Sequence, residues 1–458
     1  MTVKNLGYGQ ASTSTYQTMQ GLLNEFAPER FVTTINNRSP LLNSGALEKV
    51  ECDGEELVIE VDVGASPATQ WIGDFGRRAV GQTLTPAKGR VVPSNVHAVL
   101  SLGQTASIGK LSDNRLTQLL DGKLSQVAKD VARHLCRGLY GASIAPQAAA
   151  TWSGTAADST VTVNFLDVSM FKPGASYDYI QTTTTAKSFV VRCTGVTPAT
   201  VGSNSANIAG SVSFINDIPD PSTGSVVALT NTSVAVGDSF KLRGTTAGFG
   251  STTITNITGQ AINSFDDIAG SGATSAFLGI DPATTPGWVG QTLALSAVYS
   301  QEAALQFAAR IDQFGGENFT HAIMPPQIAA AHAIMAGNQG AVYGISLGQS
   351  PSREMMVDRS MDKYADVLGG NQFVNSGLTI AGRPVIIDPN CIATTVVFHN
   401  KNNAKLAVWK EMGADEEAGS SILLNRSTFS IDSYFSGSYQ LYCVNRAAIG
   451  TITSITGL

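Results

Sequence analysis

Residues 111–141, "LSDNRLTQLLDGKLSQVAKDVARHLCRGLYG", carry the most constraining pattern in the chain: Leu116, Leu120, Leu124, Val127, Val131 and Leu135 recur at steps of three and four. Only an α-helix, with its period of 3.6 residues, gathers positions so spaced onto one face. Ser112 or Asp113 can cap its start, and Gly138 or Gly141 can end it. A helix of about 25 residues is roughly 38 Å long. Such an element spans a whole domain as a spine.

The chain before it reads differently. Residues 1–46 are mixed and turn-rich, with a short helical hint at "GLLNEFAPERF", and read as an extended arm. "LEKVECDGEELVIEVDVG" (47–64) alternates like a strand, with Leu57, Ile59, Val61 and Val63 on one face. A less clean alternation follows in "SNVHAVLSLGQTASIG" (94–109). Between them, "GDFGRRAVGQTLTPAKGR" (73–90) sets Arg77, Arg78, Lys88 and Arg90 against the single acid Asp74. Two strands flanking a Gly-rich tip make a two-stranded excursion, which is marginal in water without a surface to lie on. Its stem carries Asp53, Glu55, Glu56, Glu60 and Asp62. An acidic stem with a basic tip suits contacts among identical subunits, each tip meeting a neighbour's acidic surface.

From about 142 to 258 the composition shifts to Thr, Ser, Gly and Val, and helical periodicity fades. "STVTVNF", "SFVVRCTGV", "SVSFIND", "SVVALTN" and "DSFKLRG" read as short strands between turn clusters, hence an inserted all-β barrel or sandwich. Residues 259–458 read as mixed α/β. "AVYSQEAALQFAARIDQFGG" is a helix capped by Ser300, "THAIMPP" a buried strand, and "PQIAAAHAIMAG" a helix with Pro326 in its first turn. The last ninety residues alternate strands and turns. The class is α+β, with segments at 1–46, 47–109, 110–141, 142–258 and 259–458.

Composition narrows the function. Charged residues are 14% of the chain, against about 25% in an ordinary soluble domain. Depletion of charge marks interface cores, so extensive subunit contacts are expected. A net charge of -6 argues against a protein built to grip nucleic acid. Five scattered cysteines with no C-x-x-C spacing suit unpaired thiols in a reducing compartment. Neither a secretory signal nor a membrane span is expected.

The candidate chemistry is sparse. "GISLG" (344–348) matches the G-x-S-x-G nucleophile elbow around Ser346, but its lead-in "GNQGAVY" is loop-like and Pro351 falls where a helix should follow. His97, His134, His321, His332 and His399 fall in five elements without metal-ligand spacing. The acids Glu55-Glu56, Asp266-Asp267 and Asp415-Glu416-Glu417 read as solvated turns, and Trp152, Trp288 and Trp409 as packing anchors. No catalytic residue, metal or cofactor is expected.

The order of arm, hairpin excursion, long helix, β module, α/β domain and β-rich tail resembles the major capsid protein of tailed double-stranded DNA phages, the Hong Kong 97-type fold. "FLGIDPATTPGWVGQTL" (277–293) after "GQAINSFDDI", "MFKPGASYDYI" leading to "VAVGDSFKLRG", and "LTIAGRPVIIDPNCIATTVVFHNKNNAKLAVW" before "QLYCVNRAAIG" are similar to stretches of that family. Each piece is degenerate, and the resemblance lies in their co-linearity. It implies an N-terminal arm, an E-loop, a P-domain with a spine helix, an A-domain and an added insertion domain. The implied role is non-enzymatic self-assembly, as hexamers and pentamers, into an icosahedral procapsid that expands on packaging. Implied partners are a portal protein, a separate scaffolding protein, a decoration protein, and packaged double-stranded DNA by weak non-specific contact, with no membrane. The location is a virion capsid assembled in the host cytoplasm. Arg77, Arg78, Lys88 and Arg90 become intersubunit contacts of the E-loop. Some members join subunits by a Lys-to-Asn cross-link, and no local motif separates a cross-linking Lys88 from a salt-bridging one. The alternatives are an encapsulin-like compartment of the same fold and, more distantly, a serine hydrolase using Ser346.

Overall fold

The structure, a computed structural model, describes residues 31–61, 87–103, 113–141, 143–154, 159–181, 187–198, 210–216, 229, 233–243, 250–253, 262–270, 273–285, 287–344, 378–414, 422–425 and 430–456. The long apolar stripe is a helix, Asp113–Tyr140. It runs through Gly138 and stops before Gly141, whose φ of 134° no other residue adopts readily. Leu124, Val131, Leu135 and Leu139 are buried, and Ala128 and Ala132 let neighbouring elements come close. Burying each large side chain contributes roughly 1.5–3 kcal/mol.

This helix faces a five-stranded sheet. Its order is Glu48–Glu51 (β1), Ala404–Ala414, Ser430–Cys443 and Ile422–Asn425, with a further strand on Ser430–Cys443. A second sheet of six strands runs Gln291–Ala294, Gly450–Thr453, Val396–His399, His321–Met324, Arg383–Ile387 and Thr379–Ile380. Helix Gln301–Phe314 covers it, capped by Ser300, whose Oγ accepts the Ala303 amide at 3.2 Å. Helix Pro326–Gly344 follows. Among the described residues no helix is long and apolar enough to cross a membrane.

The upstream region departs from its sequence reading in three ways. Residues 31–38 are helical, not part of an extended arm, and Pro40–Asn43 adds a turn capped by Ser39. Phe31, Ile35 and Leu41 are buried, with the Phe31 ring 4.9 Å from that of Phe435, so apolar burial fixes what turn-rich composition left open. Second, residues 47–64 do not form one strand: β1 ends at Glu51, the chain turns at Gly54 (φ 92°), and Leu57–Val61 (β2) belongs to another sheet. Third, β2 pairs with Ala87–Val91 (β3), while Ser94–Gly103 (β4) leaves the hairpin and pairs along Ser430–Cys443. Pro93, between β3 and β4, has no amide hydrogen to continue a ladder.

The β-rich stretch forms its own seven-stranded sheet, mainly Ser239–Leu242, Ser176–Gln181, Lys187–Pro198, Gly210–Asn216 and Ser159–Phe165 in spatial order. Strand Ser159–Phe165 alternates as expected, with Val161, Val163 and Phe165 inside. A separate core forms beneath it, rich in aromatic rings such as Phe214 and Phe240, stacked 4.6 Å apart. Sequence alternation passed over strand Ser176–Gln181, because buried Asp178 interrupts its apolar run and binds Arg243 at 2.8 Å.

A buried polar joint fastens this sheet to the long helix. Arg137, 3% exposed, meets Asp167, also 3% exposed, at 3.1 Å and donates to the Asn390 carbonyl at 3.1 Å. Asp167 also accepts the backbone amides of Ser169 and Ala393. Burial alone would raise the Asp167 carboxyl, but Arg137 and these amides outweigh it and hold it below the usual carboxylate range. On the next turn of the helix Tyr140 donates to Asp388 at 2.7 Å, and on the previous turn Arg133 donates to the carbonyls of Ser169 and Met170. Helix, β-rich sheet and the 388–393 loop thus meet at one set of desolvated charges. Removing one member strands the other in low dielectric. Arg137→Ala is expected to lower the unfolding free energy by about 3–5 kcal/mol, measured by urea denaturation.

Candidate functional site

The β2–β3 hairpin holds the residues singled out for intersubunit contact. Its register sets Glu60 opposite Lys88 and Val58 opposite Arg90. Inward side chains alternate with outward ones: Ile59, Val61 and Val91 are buried, while Glu60, Lys88 and Arg90 are exposed. Lys88 Nζ lies 3.9 Å from Glu60, and Arg90 Nη1 3.8 Å from Glu56. Lys88 and Arg90 therefore sit on a stem strand, beside acids of the same ribbon. Arg77 and Arg78 lie outside the described residues. Exposed pairs this long contribute little, about 0–1 kcal/mol at most. They leave the four charges free to exchange partners with another surface.

Behind the hairpin lies an arginine that no sequence pattern announced. Arg446 is fully buried, and its guanidinium donates to the carbonyls of Asp267, Ile268 and Ser275 at 2.9, 2.8 and 2.7 Å. It also reaches the Trp288 carbonyl at 3.4 Å and lies 5.2 Å from the centre of the Phe277 ring. Two of these carbonyls close the short helix Phe265–Ala269. Asp266 and Asp267, read from sequence as a solvated turn, form its first turn, where Asp267 completes a capping box with Ser264. A cleft of about 880 Å³ opens nearby between the β-rich sheet and the body, bordered by Lys241, Asp266, Leu278, Thr394 and Ser454.

The histidines do not converge on one centre. His97 is exposed on β4, and His134 is on the long helix. His332 is buried between Tyr299 OH, 3.0 Å from its Nδ1, and the Thr379 carbonyl, 3.2 Å from its Nε2. His321 and His399 are opposite each other on neighbouring strands. His399 is fully buried, donates from Nε2 to the Ala46 carbonyl at 2.8 Å, and leaves Nδ1 without a hydrogen-bond partner. It ties the segment after Pro40–Asn43 to the second sheet. Among the described residues no three His, Cys, Asp or Glu side chains cluster to hold a metal. All five cysteines are buried free thiols, and burial pushes Cys193 up to about 11 and Cys443 up to about 12. Such thiols are poor nucleophiles at neutral pH. Ser346 and Asp415-Glu416-Glu417 lie outside the described residues. Trp152 and Trp288 are fully buried and Trp409 packs on the main core, as anchors should.

No family model matches the sequence, and no curated protein is significantly similar to it. Solved structures similar to the chain include the capsid asymmetric unit of cyanophage A-1(L), at 12% identity and a TM-score of 0.45, covering 92% of this chain and 93% of the other. A structure from Mycobacterium phage Adephagia matches at 8% identity and a TM-score of 0.39, covering 91% and 89%. A virus-like particle from Pyrococcus furiosus matches at 9% and 0.35, covering 94% and 98%. At such identities and TM-scores, what the chain does has to follow from its own residues.

The buried histidines make stability pH-dependent. Burial pulls His399 down to about 4, and His321 and His332 shift in the same direction. Between about 6.5 and about 4 the unfolded chain binds a proton at position 399 that the folded chain refuses. Unfolding free energy is therefore lost as pH falls through this window, roughly 3 kcal/mol for His399 alone. Denaturation midpoints measured from pH 7 to 4 should show this slope, and His399→Gln should flatten it.

Proposed function

We propose that this chain is a non-enzymatic shell protein of the Hong Kong 97-type, the major capsid protein of a tailed double-stranded DNA phage. The observation that carries the reading is the β2–β3 ribbon. It stands outside both body sheets as a sheet of two strands, with exposed charges of both signs along it. The inner face of the ribbon lies on its own body through Ile59, Val61 and Val91, which leaves its charged outer face for a second surface; a charge-poor chain offers such surfaces on its own copies. The co-linear sequence resemblance supports the same reading, as does the order along the chain, with the long helix following the hairpin and preceding the β-rich sheet.

In this reading Asp113–Tyr140 is the spine helix of a P-domain. The hairpin is the E-loop, residues 142–258 are an insertion domain, and 259–458 supply the A-domain and the strands that return to the P-domain. Copies associate as hexamers and pentamers into a procapsid in the host cytoplasm. A separate scaffolding protein and a portal assist. DNA packaged in the virion touches the shell weakly, in keeping with the net charge of -6. Arg77, Arg78, Lys88 and Arg90 meet acidic surface on a neighbouring copy, where complementary charge sets register more than affinity.

Electron microscopy of the chain co-expressed with its neighbouring scaffold gene tests this directly. Shells or capsomers are expected; a well-folded monomer that forms neither would sink the proposal. Reversing charge with Arg77→Glu and Arg78→Glu together is expected to cut the yield of shells while leaving the circular dichroism spectrum unchanged. Normal shells from that double variant would count against the intersubunit role of the tip.

A further inference from the structure

We propose that the turn Phe277–Ile280 is a strained latch that holds the β2–β3 hairpin against the body and frees it when Leu278 leaves its left-handed conformation. Phe277 and Ile280 exchange backbone hydrogen bonds of 3.1 and 3.0 Å, closing a two-residue turn. Its central residues, Leu278 and Gly279, have φ of 54° and 80°, both positive as a type I′ turn demands. Glycine meets that demand without strain. Leucine does not, because its Cβ crowds the following carbonyl, and Asn, Asp or Gly is the usual choice.

The surroundings hold Leu278 in place from behind. The Phe277 carbonyl also accepts the Trp288 indole N–H at 3.2 Å, and Arg446, anchored on four carbonyls, sits beside the Phe277 ring. A strained residue persists where neighbours over-determine it. The strain is coupled to the hairpin on the other side. Leu278 O accepts the Arg90 amide at 3.0 Å, the one backbone bond between β2–β3 and the body among the described residues. Side-chain contact follows the same line. Gly89 lies where β3 meets the turn: a Cβ there would touch Leu278 Cβ at an ordinary 3.4 Å and press on Ile59 Cγ1 of the hairpin at 3.0 Å. Rotation of Leu278 to negative φ turns its carbonyl away from Arg90 and spoils this fit. The hairpin can then pivot at its base, where Gln440 still donates to the Val92 carbonyl at 3.0 Å. Two discrete backbone states of one residue thereby set two positions of the ribbon. The latch stands on this chain's own geometry and does not depend on shell assembly.

Two substitutions separate strain from packing. Leu278→Ala and Leu278→Gly both remove the isobutyl group, but only glycine removes the left-handed penalty. In the full-length chain, hydrogen exchange of the Arg90 amide is expected to be roughly fivefold slower in the glycine variant than in the alanine variant. Leu278→Asn, which tolerates positive φ, should fall with glycine. Trypsin cleavage after Lys88 should rank the three variants in the same order. Equal exchange and cleavage in the alanine and glycine variants, or faster exchange with glycine, would overturn the latch.

Discussion

The ion pair between Arg137 and Asp167 connects parts that the chain keeps far apart. It sits where the long helix, the entrance to the β-rich sheet and the loop after strand Arg383–Ile387 come within hydrogen-bonding distance. Two charges at 3% exposure are costly to desolvate, and each also bonds backbone of the 390–393 loop, Arg137 to the Asn390 carbonyl and Asp167 to the Ala393 amide. The consequence is specificity of arrangement: an apolar contact could slide, whereas this set of donors and acceptors closes in one geometry. Arg133 on the previous turn and Tyr140 on the next extend the same fastening along the helix. The β-rich sheet is thereby carried by the helix and not loosely tethered to it.

At the other end of the body the mode of attachment is opposite. The β2–β3 hairpin is held by one backbone bond among the described residues, by apolar contact at Ile59, Val61 and Val91, and by exposed ion pairs of small worth. The turn that holds it is strained at Leu278, and the arginine bracing that turn is saturated with carbonyls. One body thus carries a rigidly fastened sheet and a lightly held ribbon.

Much of this was legible in the sequence, and the reasons are local. The long helix, helix Gln301–Phe314 with its Ser300 cap, and strand Ser159–Phe165 all announce themselves by period and capping chemistry. What failed to read were elements whose partners are remote. Residues 31–46 look like a loose arm until Phe31 meets Phe435 and Ala46 meets His399. β4 looks like the return strand of the hairpin, since alternation names an inward face without naming the neighbour. Arg446 gave no signal at all, because carbonyl acceptors from distant residues carry no sequence signature.

The sequence by itself determined the α+β class, the long helix, the separate character of the β-rich stretch, and the low share of charged residues. These follow from side-chain periodicity and composition, which depend only on neighbours along the chain. Tertiary structure alone decided that Lys88 and Arg90 lie on a stem beside Glu60 and Glu56, that Arg137 and Asp167 form the joint, and that a leucine occupies a glycine's conformation at position 278. Those facts depend on which segments meet in space. Burial, hydrogen-bond satisfaction and strain take their values only after the chain has closed on itself.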